Sequence, residues 1–335
     1  MNNKHKFRHN AFIKLVALTT FLLCLILPSW VYEVGAVSSA NASHSSAHQS
    51  GKEDGAVLAT HFEWNEAAGA QYTLPRQIRY TLSVQNIENK SAGEIKLWVY
   101  APSLKTSHQA LKDLTVSYPA RILQDDEDNI ICVFTVPEMA PYETKIFRFK
   151  ANIAMNDLPC GIPLDKKERY LQAERLIEKD HPQILKKASE LQKDDPYQTA
   201  LSLYQWVSMN IKGAGLTGED KGALYAIEHR HGDCTEYAAL FVALCRACDI
   251  PARMLCGYIC QRNCIVTAFD FHNWAEFYHK GAWHLVDAER KLFDTAGDQY
   301  IATEIYVGEH TNPIGAYHRY RFEAQGVSCK VKMTD

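Results

Sequence analysis

The sequence has no excess of either charge. Its Lys and Arg number 36 and its Asp and Glu 39, a formal net charge of -3. That balance gives no global basic field, and no run of like charge is long enough to form a polyanion-binding arm, so nucleic acid is not expected as a partner. The most concentrated charge, Gln124-Asp125-Asp126-Glu127-Asp128-Asn129, reads as an acidic surface turn. There is no internal repeat, which excludes a solenoid or propeller. There is also no apolar run of the ~20 residues a spanning helix needs. Hydrophobic residues make up 47% and charged residues 22%, a normal balance for a folded chain.

The longest apolar stretch is short and sits at the start. Lys4, Lys6, Arg8 and Lys14 precede Leu15 to Leu27, and Pro28 ends the run. Small residues follow at Ala36, Ser38, Ser39, Ala40, Asn41 and Ala42. A basic start, a short apolar core and a small-x-small site predict a secretory signal over 1–40, cleaved after Ala40 or Ala42. An uncleaved N-terminal anchor is the alternative, and no other membrane contact is expected. Phe21-Leu22-Leu23 lacks the small residue expected before a lipidated cysteine, so Cys24 is not read as a lipid site. The expected location is therefore outside the cytoplasm, in the periplasm or cell envelope. Residues 41–60 are rich in Ser, His, Ala and Gly and read as a flexible linker.

Residues 61–155 carry a β signal. Tyr72–Leu74, Ile78–Val84, Ile95–Tyr100, Ile130–Val136 and Lys145–Lys150 are short alternating runs rich in β-branched and aromatic residues. Polar breaks at Asn86–Gly93 and Gln124–Asn129 suit turns. Short strands without intervening helices predict a small all-β, sandwich-like domain. It carries no clustered Cys, His or carboxylates and reads as a structural or substrate-presenting module.

From about 156 to the C-terminus the pattern changes to α+β. Lys166–Lys193 spaces Leu171, Leu176, Ile184, Leu185 and Leu191 as amphipathic helices broken near Pro182. Asp195-Pro196 opens another helix, with Asp as N-cap and Pro at the first position.

His231-Gly232-Asp233-Cys234-Thr235-Glu236 carries the chemistry. Asp233 can cap a helix, and Glu236 completes a capping box. Cys234 then takes the first helical position. The partial positive charge there would lower the thiol pKa, and the unpaired N–H groups could hold an oxyanion. A lone cysteine of this kind is also compatible with an inert core position.

A second segment adds the partners. Phe271–Tyr278 alternates as a strand, His279–Ala282 is a tight turn, and Trp283–Asp287 returns. A loop at Lys280-Gly281 sets Tyr278 opposite Trp283 and Trp274 opposite Asp287. His272 and Asp287 then share a face as diagonal neighbours, ~7–8 Å apart between backbones. A carboxylate-oriented imidazole of this kind can take a proton from a thiol and return it to a leaving amine. His284 has the opposite parity, His279 is in the turn, and His229 and His231 precede the helix. Asp294 is the alternative third member.

Together, Gly232–Ala238, Leu244–Arg253 with Gly257-Tyr258, His272–Glu276 and Trp283–Asp287 resemble the transglutaminase-like superfamily core in order and spacing. Tyr204-Gln205-Trp206-Val207 resembles the helix that family places before the nucleophile. The resemblance covers about 195–295. It implies a papain-like α+β fold, a nucleophile helix packed on an antiparallel sheet. It also implies Cys234 as nucleophile, His272 as general base and acid, and Asp287 as orienting carboxylate. Trp274, Gln205 and Trp206 are the candidate cleft or oxyanion supports. Ala288 stands where many relatives carry proline.

The expected function is an exported thiol enzyme acting on peptide or amide bonds through a thioester, with hydrolysis favoured over amine transfer. The substrate is a peptide or protein, a cell-wall peptide among the options. The alternative is a non-catalytic cell-envelope binding or scaffold module that keeps the fold. No cofactor and no metal are expected. Cys245-x2-Cys248 has zinc-like spacing, but loss of Cys24 leaves nine cysteines, and an oxidising compartment favours pairs plus one free thiol. In the tail, Arg319 or Arg321 could face a carboxylate, or lie on a solvated surface.

Overall fold

The computed structural model describes residues 58–64, 71–215, 219–306, 308, 312–315 and 318–334. The expected signal and nearly all of the linker lie outside the described residues.

The first half forms strands β1 (Ala59–Glu63), β2 (Leu74–Asn86), β3 (Ile95–Ala101), β4 (Gln109–Gln124), β5 (Ile130–Val136) and β6 (Thr144–Met155). Alternation decides which face is buried. In β2, Ile78, Tyr80, Leu82 and Val84 point inward between more exposed neighbours. The sequence reading misses β4, because Lys112, Asp113 and Pro119 break its pattern. The break has a structural use. β4 pairs with β6 as far as Val116 and with β5 from Arg121, so Pro119 lies where the ladder changes partner and no amide is needed. One strand thereby serves two layers. Their facing side chains, with Phe134 edge-on to Phe149 and Tyr80 stacked on Phe149 at 4.4 Å, form the core.

The second half begins with a 3-10 turn, Lys167–Leu171, and α1 (Pro182–Leu191). The helical pattern expected before Pro182 yields only that turn. α2 (Pro196–Asn210) starts at the expected cap, with the Asp195 side chain accepting from Gln198 N. There follow β7 (Lys212–Gly213), α3 (Gly222–His229), β8 (His231–Gly232), α4 (Cys234–Ala247), β9 (Ala252–Ile259), β10 (Cys264–Ile265), β11 (Phe271–His279), β12 (Ala282–Asp287), β13 (Leu292–Phe293), β14 (Tyr300–Ile305), β15 (Tyr320–Ala324) and β16 (Cys329–Thr334).

A five-stranded antiparallel sheet runs β13-β12-β11-β9-β14. α4 lies across one face, buried from Cys234 to Arg246, among α1, α2 and α3. A helix this apolar, with its few polar side chains Glu236 and Arg246 paired, fits such a central position. Leu255, Trp274, Leu285 and Tyr300 form a cluster on the opposite side of the sheet. The fold is thus mixed α+β with an N-terminal all-β region.

The two halves interlock. β10 and β16 pair with β2, and β15 pairs with β3, so the tail returns to the first sheet. Two buried amides complete the edge of the second sheet. Gln109 exchanges hydrogen bonds with the backbone of Ala302, and Asn129 with that of Ile305, at 2.7–3.1 Å. Without them, β14 would bury an unpaired strand edge.

Candidate active site

Gly232 makes the start of α4 possible. A Cβ at that position would lie 2.3 Å from the Glu236 Cβ, so only glycine lets Glu236 fold back. Glu236 then accepts from Asp233 N at 3.0 Å, and Asp233 accepts from Thr235 N at 2.9 Å. This is the capping box read from the sequence. It fixes Cys234 at the first helical position, at 8% exposure.

β11 and β12 meet in the expected register, with Tyr278 opposite Trp283. His272 Nε2 lies 2.7 Å from Asp287 Oδ2. A carboxylate can only accept, so Nε2 carries the proton and Nδ1 is left with a lone pair. Asp287 also accepts from the Tyr300 hydroxyl at 2.7 Å and from Arg290 N at 3.0 Å. Burial raises the Asp287 pKa, but the hydrogen bond and charge of His272, with these donors, outweigh burial and hold the carboxyl below its ordinary value.

Cys234 Sγ, a ring nitrogen of His272 and a carboxylate oxygen of Glu289 lie within 4.8 Å of one another. Glu289 Oε2 is 3.9 Å from His272 Nδ1. Asn273 donates its backbone N–H to the Cys234 thiol, and its side chain donates to Thr235 Oγ1 at 2.8 Å. Sequence reasoning missed both Glu289 and Asn273. The signal for Asn273 was its place beside His272. For Glu289 it was its place two residues after Asp287.

The electrostatics correct one expectation. A helix start by itself lowers a thiol pKa. Here burial, then the charges of Asp233 and Glu289, push Cys234 up to about 12 despite the Asn273 N–H. At rest Cys234 is therefore a neutral thiol. Burial likewise raises the Glu289 carboxyl.

A cavity of about 470 Å³ opens on Cys234. Asp220, Phe271, Asn273 and the tail from His318 to Phe322 line it. Arg319 lies over the Phe271 ring, and Arg321 pairs with Glu323 and donates to Pro313 O at 2.9 Å.

The supporting residues fall elsewhere. Trp274 is buried beneath the His–Asp pair, edge-on to Tyr300 at 5.1 Å. Gln205 is exposed on α2, and the Trp206 ring lies under Lys187 and Arg230. The alternative carboxylate Asp294 holds His284 at 2.9 Å instead. Cys260 and Cys264 form a disulfide. Among the described residues that is one pair, where several pairs with one thiol left over were expected. Cys132, Cys160, Cys234, Cys245, Cys248, Cys256 and Cys329 are free, most of them in the apolar core. Among the described residues, no helix is long and apolar enough to cross a membrane.

Comparison with known proteins gives a family for part of the chain. Residues 185–288 match the family model of the transglutaminase-like superfamily. A crystal structure of a candidate cysteine protease from Cytophaga hutchinsonii is similar with a TM-score of 0.52. It is 18% identical, over 78% of this chain and 93% of that one. At that identity the likeness is one of fold. The periplasmic domain of TgpA from Pseudomonas aeruginosa is 16% identical over 60% of this chain and 88% of its own, with a TM-score of 0.35. No curated protein sequence matches the chain. Residues 185–288, the stretch that matches the transglutaminase-like superfamily, hold Cys234, His272 and Asp287 together.

Proposed function

We propose that the protein is an exported thiol hydrolase of peptide or amide bonds, with Cys234 as nucleophile, His272 as base and acid, and Asp287 as orienting carboxylate. The observation that carries this reading is the 2.7 Å His272–Asp287 pair, which leaves the lone pair of Nδ1 free beside a thiol at the floor of a cavity.

Nδ1 takes the thiol proton as Sγ attacks the substrate carbonyl. The resulting oxyanion is held by the start of α4, where N–H groups and the helix dipole converge. The imidazolium, balanced by Asp287, passes the proton to the leaving amine. The product is a thioester on Cys234. Water then gives a proton to Nδ1 and attacks the thioester, releasing the acid and restoring the thiol. Water is the default acceptor, and no second amine site supports transfer. Trp274 steadies the pair from below through Tyr300. An extended peptide fits a cavity with apolar Phe271, Tyr320 and Phe322 beside polar Asp220 and Arg319. The substrate class is therefore a peptide or protein, with cell-wall peptides included. Export rests on the N-terminal sequence pattern.

The raised pKa of Cys234 favours a second reading, a scaffold module of the cell envelope that keeps the fold without turnover. Assay of the protein against a peptide library, beside Cys234→Ala, decides between them. Turnover abolished in the variant with its circular dichroism unchanged supports the enzyme. Turnover of equal size in both removes Cys234 from the chemistry.

A further inference from the structure

A second thiol–imidazole–carboxylate group lies behind the same cavity, which its histidine, His318, lines. Cys256 is on β9, Glu304 on β14 and His318 just before β15. Their donor atoms lie within 4.8 Å of one another, with Cys256 Sγ 3.8 Å and Glu304 Oε2 3.8 Å from His318 Nδ1. We propose that Cys256, Glu304 and His318 bind a zinc ion through Sγ, a carboxylate oxygen and Nδ1, with a fourth position open toward the cavity.

The distances suit the ion. Zinc bonds of about 2.3 Å to sulfur and about 2.0–2.2 Å to nitrogen or oxygen, at tetrahedral angles, separate the donors by about 3.3–3.6 Å. The two contacts of His318, each 3.8 Å, need to close by only a few tenths of an ångström. The orientation of His318 is also that of a ligand. Its Nε2 lies 2.7 Å from Asp220 Oδ2, the outer-shell arrangement of most metal-bound imidazoles. Nδ1 is turned to the cluster, where, against burial, Asp220, Cys256 and Glu304 hold the ring's pKa well above its ordinary value in the metal-free protein. Glu304 supplies an independent observation. It is 2% exposed, and its Oε2 makes no close hydrogen bond, being met by the His318 ring at 3.8 Å and by the Cys256 thiol. A buried carboxylate is costly unless a cation meets it, and a zinc ion would meet Glu304 more closely than the ring does.

The sequence is bent locally to make this meeting. A register shift between Ala302 and Glu304 sets Glu304, in place of its neighbour, opposite Cys256, as bulges beside sites do. A thiolate with an imidazole and one carboxylate selects zinc over calcium or magnesium, which prefer oxygen alone. On binding, the Cys256 thiol and the His318 ring each give a proton to solvent. The ion ties the tail, which forms one wall of the cavity, to the central sheet. This holds whether or not Cys234 turns over a substrate.

The test uses the full chain carrying Cys234→Ala, which removes the other thiol of the cavity. Cobalt(II) is titrated into metal-free protein and followed by absorption. The expected result is a thiolate-to-cobalt band that saturates at one equivalent and disappears when Cys256→Ser is added. Asp220→Asn should keep the band and weaken cobalt binding by roughly 10–100-fold, through loss of the outer-shell hydrogen bond. No band, or a band that survives Cys256→Ser, overturns the proposal. Should Cys256→Ser fail to fold by circular dichroism, Asp220→Asn decides, and unchanged affinity in that variant overturns it equally.

Discussion

Asp287 accepts three hydrogen bonds at once, from His272 Nε2, the Tyr300 hydroxyl and Arg290 N, and it is 2% exposed. His272 is thereby fixed in one tautomer, because the carboxylate can take only a proton-bearing nitrogen. Nδ1 is the atom left for Cys234.

Replacing that carboxylate should disturb the tautomer more than the fold. For Asp287→Asn the expected change is a fall in kcat of roughly 10²–10⁴, smaller than for Cys234→Ala, since the nucleophile remains. Steady-state kinetics on any substrate found for the wild type checks it. Equal losses in the two variants would contradict the orienting role.

The same residue ties stability to pH. Its folded pKa is held below the ordinary value, so its contribution is present above the unfolded pKa near ~3.9 and is lost as pH falls through the folded value. Urea unfolding of wild type and Asp287→Asn should therefore differ at pH 6–7 and draw together as pH falls below about 4. A gap that stays constant down to pH 2 would place the effect in packing instead.

Cys234 is expected to be a slow thiol at rest. With its pKa pushed up to about 12 by burial, Asp233 and Glu289, the native thiolate fraction at pH 8 is roughly one in 10⁴. Iodoacetamide should label it far more slowly in the folded protein than in urea. Glu289→Gln removes one of the raising charges, so the pH midpoint of labelling should move down. Mass spectrometry of the Cys234 peptide reads both effects. Rapid labelling of the folded wild type below pH 8 would mean a resting thiolate–imidazolium pair and reverse this account.

Gly232→Ala should break the capping box, because the added methyl takes the place of the Glu236 side chain. The expected cost is about 1–3 kcal/mol, seen as a lower urea midpoint at unchanged slope. A variant as stable as the wild type would show that α4 does not depend on that fold-back.

Alkylation of unreduced, unfolded protein should leave one pair protected, Cys260–Cys264, among the cysteines beyond residue 130. Peptide mapping that finds Cys245 or Cys248 disulfide-bonded would contradict the free thiols at the end of α4.

Much of the site was legible because its parts are local. The start of α4 depends on residues 232–236. The register of β11 and β12 depends on a two-residue loop, and period-two alternation then sets His272 beside Asp287. The cap of α2 is equally local. β4 was not legible, since its role is to change partners at Pro119, and a pattern that serves two layers is regular in neither.

Sequence alone therefore singled out Cys234, His272 and Asp287, whose side chains the fold brings together, along with the α+β class. Tertiary structure decided what no local rule reaches. It brought Glu289 to the thiol, set the Cys234 pKa by burial, kept most cysteines apart in the core, and carried the tail back so that His318 meets Cys256 and Glu304. The physical reason is distance along the chain. Periodicity and capping act over a few residues, whereas Cys256 and His318 are joined only by the packing of strands and a tail that fold back on one another.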